Sequence, residues 1–152
     1  MLPTPQKFKI VTGAFEGQTP LSAFDGALLN AGIGNINLIR VTSILPPHAV
    51  EDPELQIPEG SLVPTAYGTF NSSRPGEVIS AAVGIGFSRD SFGVIMETAG
   101  RESRQEAEAQ VEIMIRDAFH QRGMTLEHQS IKGIQHEVKT NGAVIAAVAL
   151  WY

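Results

Sequence analysis

Short runs in which apolar and polar residues alternate, broken by two longer stretches with apolar residues every three or four positions, set the pattern of this 152-residue chain. Period-two alternation marks strands and the wider spacing marks amphipathic helices, so a mixed α/β or α+β domain is expected rather than a bundle or an all-β barrel. The first strand reads KFKIVTGAF, Lys7 to Phe15. Thr19 before Pro20 offers an N-cap followed by proline at the first helical position. Leu21, Phe24, Leu28 and Ala31 then share one face, Asp25 borders it, and Gly32 or Gly34 can end the helix. The β-branched run NINLIRVTSIL predicts one strand from Asn35 to Leu45, stopped by Pro46 and Pro47.

Five of the nine prolines fall between Pro46 and Pro64, which predicts a long loop there. Strands follow at Leu62 to Phe70, Glu77 to Phe87 and Phe92 to Glu97, the last two joined by a turn at Ser88 to Ser91. Ser103-Arg104-Gln105-Glu106 has the form of a capping box. Ala107, Val111, Met114, Ile115 and Ala118 continue it as an apolar stripe, and Gly123 supplies the stop. A strand around Gly133 to Val138, a turn at Thr140-Asn141-Gly142 and the apolar strand AVIAAVALWY complete the chain.

With 43% hydrophobic residues this length suits one domain with its own core. A formal charge of −5 with no Lys/Arg run gives no footprint for nucleic acid or an anionic membrane, and suits a cationic small molecule better. There is no cysteine, which excludes disulfides, thiolate ligands and a cysteine nucleophile. The opening MLPTPQKFKIVTG lacks a basic region leading into an apolar one, and no apolar run approaches a membrane span, so a soluble cytoplasmic protein is expected. Gly32/Gly34 and Gly84/Gly86 miss the third glycine of a dinucleotide loop, since Asn37 and Arg89 occupy those places. His48, His120, His128 and His136 show no metal-ligand spacing, so no metal site is expected.

Two carboxylates carry candidate chemistry. Alternation puts Glu97 at a strand end, on the face shared by Gly93 and Ile95. Desolvation there raises a carboxyl pKa and equips it as a general acid, whereas beyond the sheet edge it is merely solvated. Asp25, beside its apolar stripe, either binds a cation or faces water. Thr42-Ser43 permits a third chemistry: a serine hydroxyl can attack the preceding carbonyl, forming an ester, if the backbone is strained and exposed. Elimination would then release Thr42 as a carboxylate and leave dehydroalanine, which takes up water and loses ammonia to become a pyruvoyl group.

The stretch PLSAFDGALLNAGIGNINLIRVTSILPP, Pro20 to Pro47, resembles the signature region of pyruvoyl-dependent arginine decarboxylases, and the likeness continues through GEVISAAVGIGFSRDSFGVIMETAG, Gly76 to Gly100. The resemblance implies cleavage between Thr42 and Ser43 into chains 1–42 and 43–152, a pyruvoyl group derived from Ser43, and neither a metal nor PLP. It further implies that Asn37 assists processing, that Glu97 donates the proton replacing CO2, that Asp25 faces the guanidinium of L-arginine, and that Leu28 and Ile44 line the pocket. The implied fold is a four-layer αββα sandwich of two mainly antiparallel facing sheets. The implied assembly is a homo-oligomer, a trimer or a dimer of trimers, with agmatine as product. A straight strand would hold Asn37 roughly 20 Å from Ser43, so either the strand bends or Asn37 serves Ser43 of a neighbouring chain, and the second is expected. Competing readings are a pyruvoyl decarboxylase of histidine or lysine, a self-cleaving hydrolase with an N-terminal serine, and a noncatalytic trimeric binding protein.

Overall fold

In the computed structural model, which describes residues 1–152, the chain forms nine strands and two helices. In order these are β1 (Lys7–Glu16), α1 (Pro20–Asn30), β2 (Asn37–Arg40), β3 (Ile44–Leu45), β4 (Val50–Glu51), β5 (Leu62–Ser72), β6 (Val78–Phe87), β7 (Gly93–Gly100), α2 (Arg104–Gln121), β8 (His128–Glu137) and β9 (Gly142–Trp151). The first sheet has the order β2-β5-β9-β1-β4 and the second β3-β7-β6-β8. Only the short edge pairings β1–β4 and β2–β5 are parallel. The expected α+β class is met, with two sheets and two helices.

Both helices start where the sequence places them. Thr19 caps α1, its hydroxyl accepting from the Ser22 N–H, with Pro20 just inside. Ser103 and Glu106 form the reciprocal capping box of α2. Gly32 and Gly123, just beyond the two helices, carry positive φ of 80° and 63°, the left-handed turn that a side chain resists.

The stripe on α1 differs from expectation. Ala23, Gly26 and Ala27 are the buried residues of the helix, with Ala31 just beyond it buried as expected, Phe24 and Leu28 at their flank and Leu21 exposed. Close approach explains the small residues, because a Cβ added at Gly13 of β1 would lie 2.2 Å from the Ala27 carbonyl oxygen. Only Gly and Ala permit that contact. On α2, Ala107, Val111, Ile115 and Ala118 are buried as the spacing predicts, and Met114 packs at their margin.

Three apolar clusters hold the elements together. One unites residues of both sheets, including Val144, Ala146 and Val148 of β9 with Ile79, Ala81, Val83 and Ile85 of β6. A second joins α1 to Ile145 and Ala147 of the first sheet, and a third joins α2 to Ala82 and Val94 of the second. β6 and β9 are buried on both faces, which accounts for their almost uninterrupted apolar sequences.

The strand expected from Asn35 to Leu45 is two strands in different sheets. β2 pairs with β5 only as far as Arg40, and β3 pairs with β7 from Ile44. Residues 41–43 cross from one sheet to the other, and no alternation pattern records such a crossing. A second correction concerns Glu97: β7 continues to Gly100, so Glu97 lies inside the strand, opposite Val83 of β6.

Candidate active site

The crossing is held at both ends. The Val41 N–H donates to the Thr65 carbonyl of the first sheet at 3.2 Å, and the Ile95 N–H of the second sheet donates to the Ser43 carbonyl at 2.8 Å. The Thr42–Ser43 peptide therefore bridges two anchored ends. Ser43 has φ +97°, a conformation that costs a residue with a Cβ about 1–3 kcal/mol. Thr42 is exposed and Ser43 half-buried, so strain and access coincide at one bond.

Glu97 comes to the same place from β7. Val94 and Met96 pack toward α2, whereas Ile95 and Ala99 pack between the sheets, so alternation turns Glu97 inward as well. Burial raises its carboxyl above the usual range, opposed by the Arg40 guanidinium and then by the Ser43 hydroxyl. The Ser43 approach does not satisfy the group, because Glu97 Oε2 is buried without a hydrogen-bond partner. Such an atom is cheapest to bury when the carboxyl is protonated.

Arg40 is a site residue that the sequence reading passed over. Its Nη1 donates to the Tyr67 carbonyl at 2.8 Å, where β5 has run past the end of β2, and its guanidinium stacks 4.0 Å from the Tyr67 ring centroid. A signal was present in the sequence, for Arg40 is the only cation between Asn35 and Leu45 and stands three residues before Ser43. Gly68, next to Tyr67, lets β5 approach β7: a Cβ there would lie 3.0 Å from the Thr98 carbonyl oxygen.

The other expected residues lie apart within the single chain. Ile44 adjoins Ser43, opposite Val94, and is exposed. Asp25 and Leu28 share an open depression of about 480 Å3 with Thr19, Leu21, Ser22 and Phe24, which includes neither Ser43 nor Glu97. Asn37 donates its amide to the Gly60 carbonyl at 3.0 Å. A histidine finds a partner that no local spacing showed, since His136 lies 2.8 Å from Glu16 Oε1, 120 positions away in sequence.

The sequence model of the pyruvoyl-dependent arginine decarboxylases matches residues 7–152. The chain belongs to this family. Similar proteins of that name include one from Methanocaldococcus jannaschii, 49% identical over 150 residues that cover 97% of this chain and 91% of the relative. Another, from Methanococcus vannielii, is 41% identical over 150 residues, with 97% and 92% covered. A third, from Pyrococcus abyssi, is 43% identical over 149 residues, with 96% and 93% covered.

Membership of this family implies a covalent pyruvoyl group. The residues present suit one, because a strained, accessible serine peptide stands beside a carboxyl whose buried oxygen has no partner. No helix is long and apolar enough to cross a membrane.

Proposed function

We propose that the chain cuts itself between Thr42 and Ser43, carries its pyruvoyl group at the Ser43 position and converts L-arginine to agmatine and CO2. The observation that carries this reading is the meeting of Ser43, at φ +97°, with the half-buried, unsatisfied carboxyl of Glu97. The two backbone hydrogen bonds at Val41 and Ser43 anchor the chain on both sides of the Thr42 carbonyl, which the Ser43 hydroxyl attacks. Attack on the Thr42 carbonyl carbon exchanges its bond to the Ser43 nitrogen for an ester to Ser43 Oγ. Elimination removes the Ser43 Cα proton and breaks the Oγ–Cβ bond to free the Thr42 carboxylate, and the dehydroalanine left takes up water and loses ammonia.

The pyruvoyl carbonyl supplies the electron sink for the pair left by departing CO2. Glu97, whose pKa burial between the sheets raises, delivers the proton to the substrate α-carbon from its protonated form. Asp25 pairs bidentately with the guanidinium, which favours arginine over lysine or histidine, and Leu28 and Ile44 pack along the aliphatic stem. Because Asp25 and Leu28 lie apart from Ser43 in one chain, a neighbouring chain brings them to it, and Asn37 acts across the same contact. Exposed Leu21, Leu29, Ile39, Ile44 and Leu62 supply an apolar surface for that association. The three apolar clusters correspond to the three interfaces of a four-layer αββα stack in each protomer of a trimer in the cytoplasm.

Intact mass of the purified protein, together with turnover of arginine, lysine and histidine, tests this reading. Expected are chains 1–42 and 43–152, the larger lighter by one ammonia than a serine-ended chain, and agmatine as the amine formed. A serine-ended large chain would make the protein a self-cleaving hydrolase instead, and one uncut chain would sink the proposal.

A further inference from the structure

Arg40 stands out among the arginines of this chain. Arg89, Arg101, Arg104 and Arg116 each meet a glutamate at 2.7–3.1 Å, whereas Arg40, Arg74 and Arg122 form no ion pair, and of these three only Arg40 stacks on an aromatic ring. It is nonetheless held in place, Nη1 on the Tyr67 carbonyl and the guanidinium plane over the Tyr67 ring. A guanidinium has five N–H donors, and only one is used here. The arrangement is a fixed cation without an anion, two residues before a bond whose cleavage creates one.

Geometry favours their meeting. The ladder with β5 persists through the Val41 N–H, so the chain remains extended past Arg40. In extended chain the Cα atoms of residues two apart lie about 7 Å from one another, a distance an arginine side chain spans to reach a main-chain carboxylate. Charge requires it as well. Cutting would create a carboxylate at Thr42, next to the Ser43 that meets Glu97, and Arg40 is the one cation whose charge reaches Glu97. Left unpaired, the new carboxylate would carry its charge into the site, and a guanidinium is the group that neutralises it.

We propose that Arg40 is a preorganised receptor for the Thr42 carboxylate released by self-cleavage. It pins the new chain end to the edge of the first sheet, away from the space the substrate must enter. This rests on the cleavage proposed above. The substrate's α-carboxylate offers the same chemistry but is the poorer occupant, because a salt bridge to it stabilises the very group that must leave as neutral CO2.

Carbon-13 NMR of protein labelled at threonine carbonyl carbons tests the assignment. Only Thr42 ends in a free carboxyl, so only its signal titrates. In the cut enzyme it is expected about one unit or more below the ordinary α-carboxyl range of roughly 3.3–3.7, returning to that range in Arg40→Gln and staying low in Arg40→Lys. Faster amide exchange at Val41 in Arg40→Gln is the accompanying sign of a loosened end. An ordinary titration in the unsubstituted enzyme overturns the proposal. So does an Arg40→Gln protein that leaves the Thr42 signal low and instead raises KM for arginine, because the guanidinium then serves the substrate. Intact mass taken first separates the two levels: an uncut chain removes the cleavage reading itself, and this inference with it.

Discussion

The backbone N–H of Ile95 donates to the carbonyl oxygen of Ser43 at 2.8 Å, which fixes the serine two residues along β7 from Glu97. Since Ile95 and Glu97 project from the same side of their strand, one hydrogen bond sets the spacing between the proposed cleavage point and the proposed proton donor. Both roles of the site therefore depend on the register of a two-residue strand, β3, against β7.

Glu97→Gln is expected to mature normally and to lose agmatine production by about 10²-fold or more, because the amide has no proton to give. If Glu97 is the proton donor, the competent form of the unsubstituted enzyme is the protonated one. Burial raises the Glu97 pKa, so turnover should hold at low pH and fall as pH rises through that raised value. Stability has the same sign: a raised folded pKa contributes stability below about 4.5 that is lost as pH increases through the folded value. Denaturant midpoints of uncut Ser43→Ala with and without Glu97→Gln should therefore diverge with rising pH, the glutamine protein becoming the more stable.

Strain at Ser43 has its own test. Neither Ser43→Gly nor Ser43→Ala can cut, so their stabilities compare directly. At φ +97° glycine should be the more stable by about 1–2 kcal/mol, the reverse of the 0.5–1 kcal/mol by which alanine exceeds glycine in unstrained extended chain. Urea denaturation of the two proteins measures the difference, and its sign decides whether the bond is loaded before the chemistry starts.

Gly68→Ala probes the spacing of the sheets without touching a reacting group. The new methyl would meet the Thr98 carbonyl at 3.0 Å and push β7 by a few tenths of an ångström beside Glu97. Maturation should persist while kcat falls about tenfold, because proton transfer depends on position. Single-turnover kinetics are the measurement, and an unchanged rate would mean that the close approach serves packing alone.

Glu16 gives a prediction remote from the chemistry. Burial alone would raise its carboxyl, but backbone N–H groups of Lys139 and Thr140, together with His136, outweigh that effect and hold it at about 2. The stability it contributes is thus present above about 4.5 and lost as pH falls toward 2. Glu16→Gln should cost about 2 kcal/mol at neutral pH and flatten the pH dependence between those limits, as read from urea midpoints.

Much of this fold was legible in the sequence because its elements carry local signals. Thr19-Pro20, Ser103 with Glu106, and the apolar runs of β6 and β9 each state their conformation within a few residues. The break at residues 41–43 carried no such signal, since Arg40, Val41 and Thr42 suit a strand and nothing local says that the next pairing partner lies in another sheet. Glu97 was readable as to its face but not its burial, which depends on β5 and β6 arriving from elsewhere. Arg40 and Tyr67 were missed because their relationship is a side-chain stack between strands. Glu16 and His136, 120 positions apart, are a pure product of topology.

The strand order of the first sheet has a consequence for the lifetime of the molecule. In the order β2-β5-β9-β1-β4, both strands from residues 1–42, β2 and β1, pair only with strands from 43–152, and β1 lies against β9 along its whole length. Once the bond is cut, one sheet is woven from two molecules. The uncut chain can find this weave as a single-chain folding reaction, but a denatured mature protein must first bring two fragments together in dilute solution. Renaturation then depends on concentration and competes with aggregation. Persistence of the mature protein would thus be set by how slowly it comes apart, its route back having closed with its maturation.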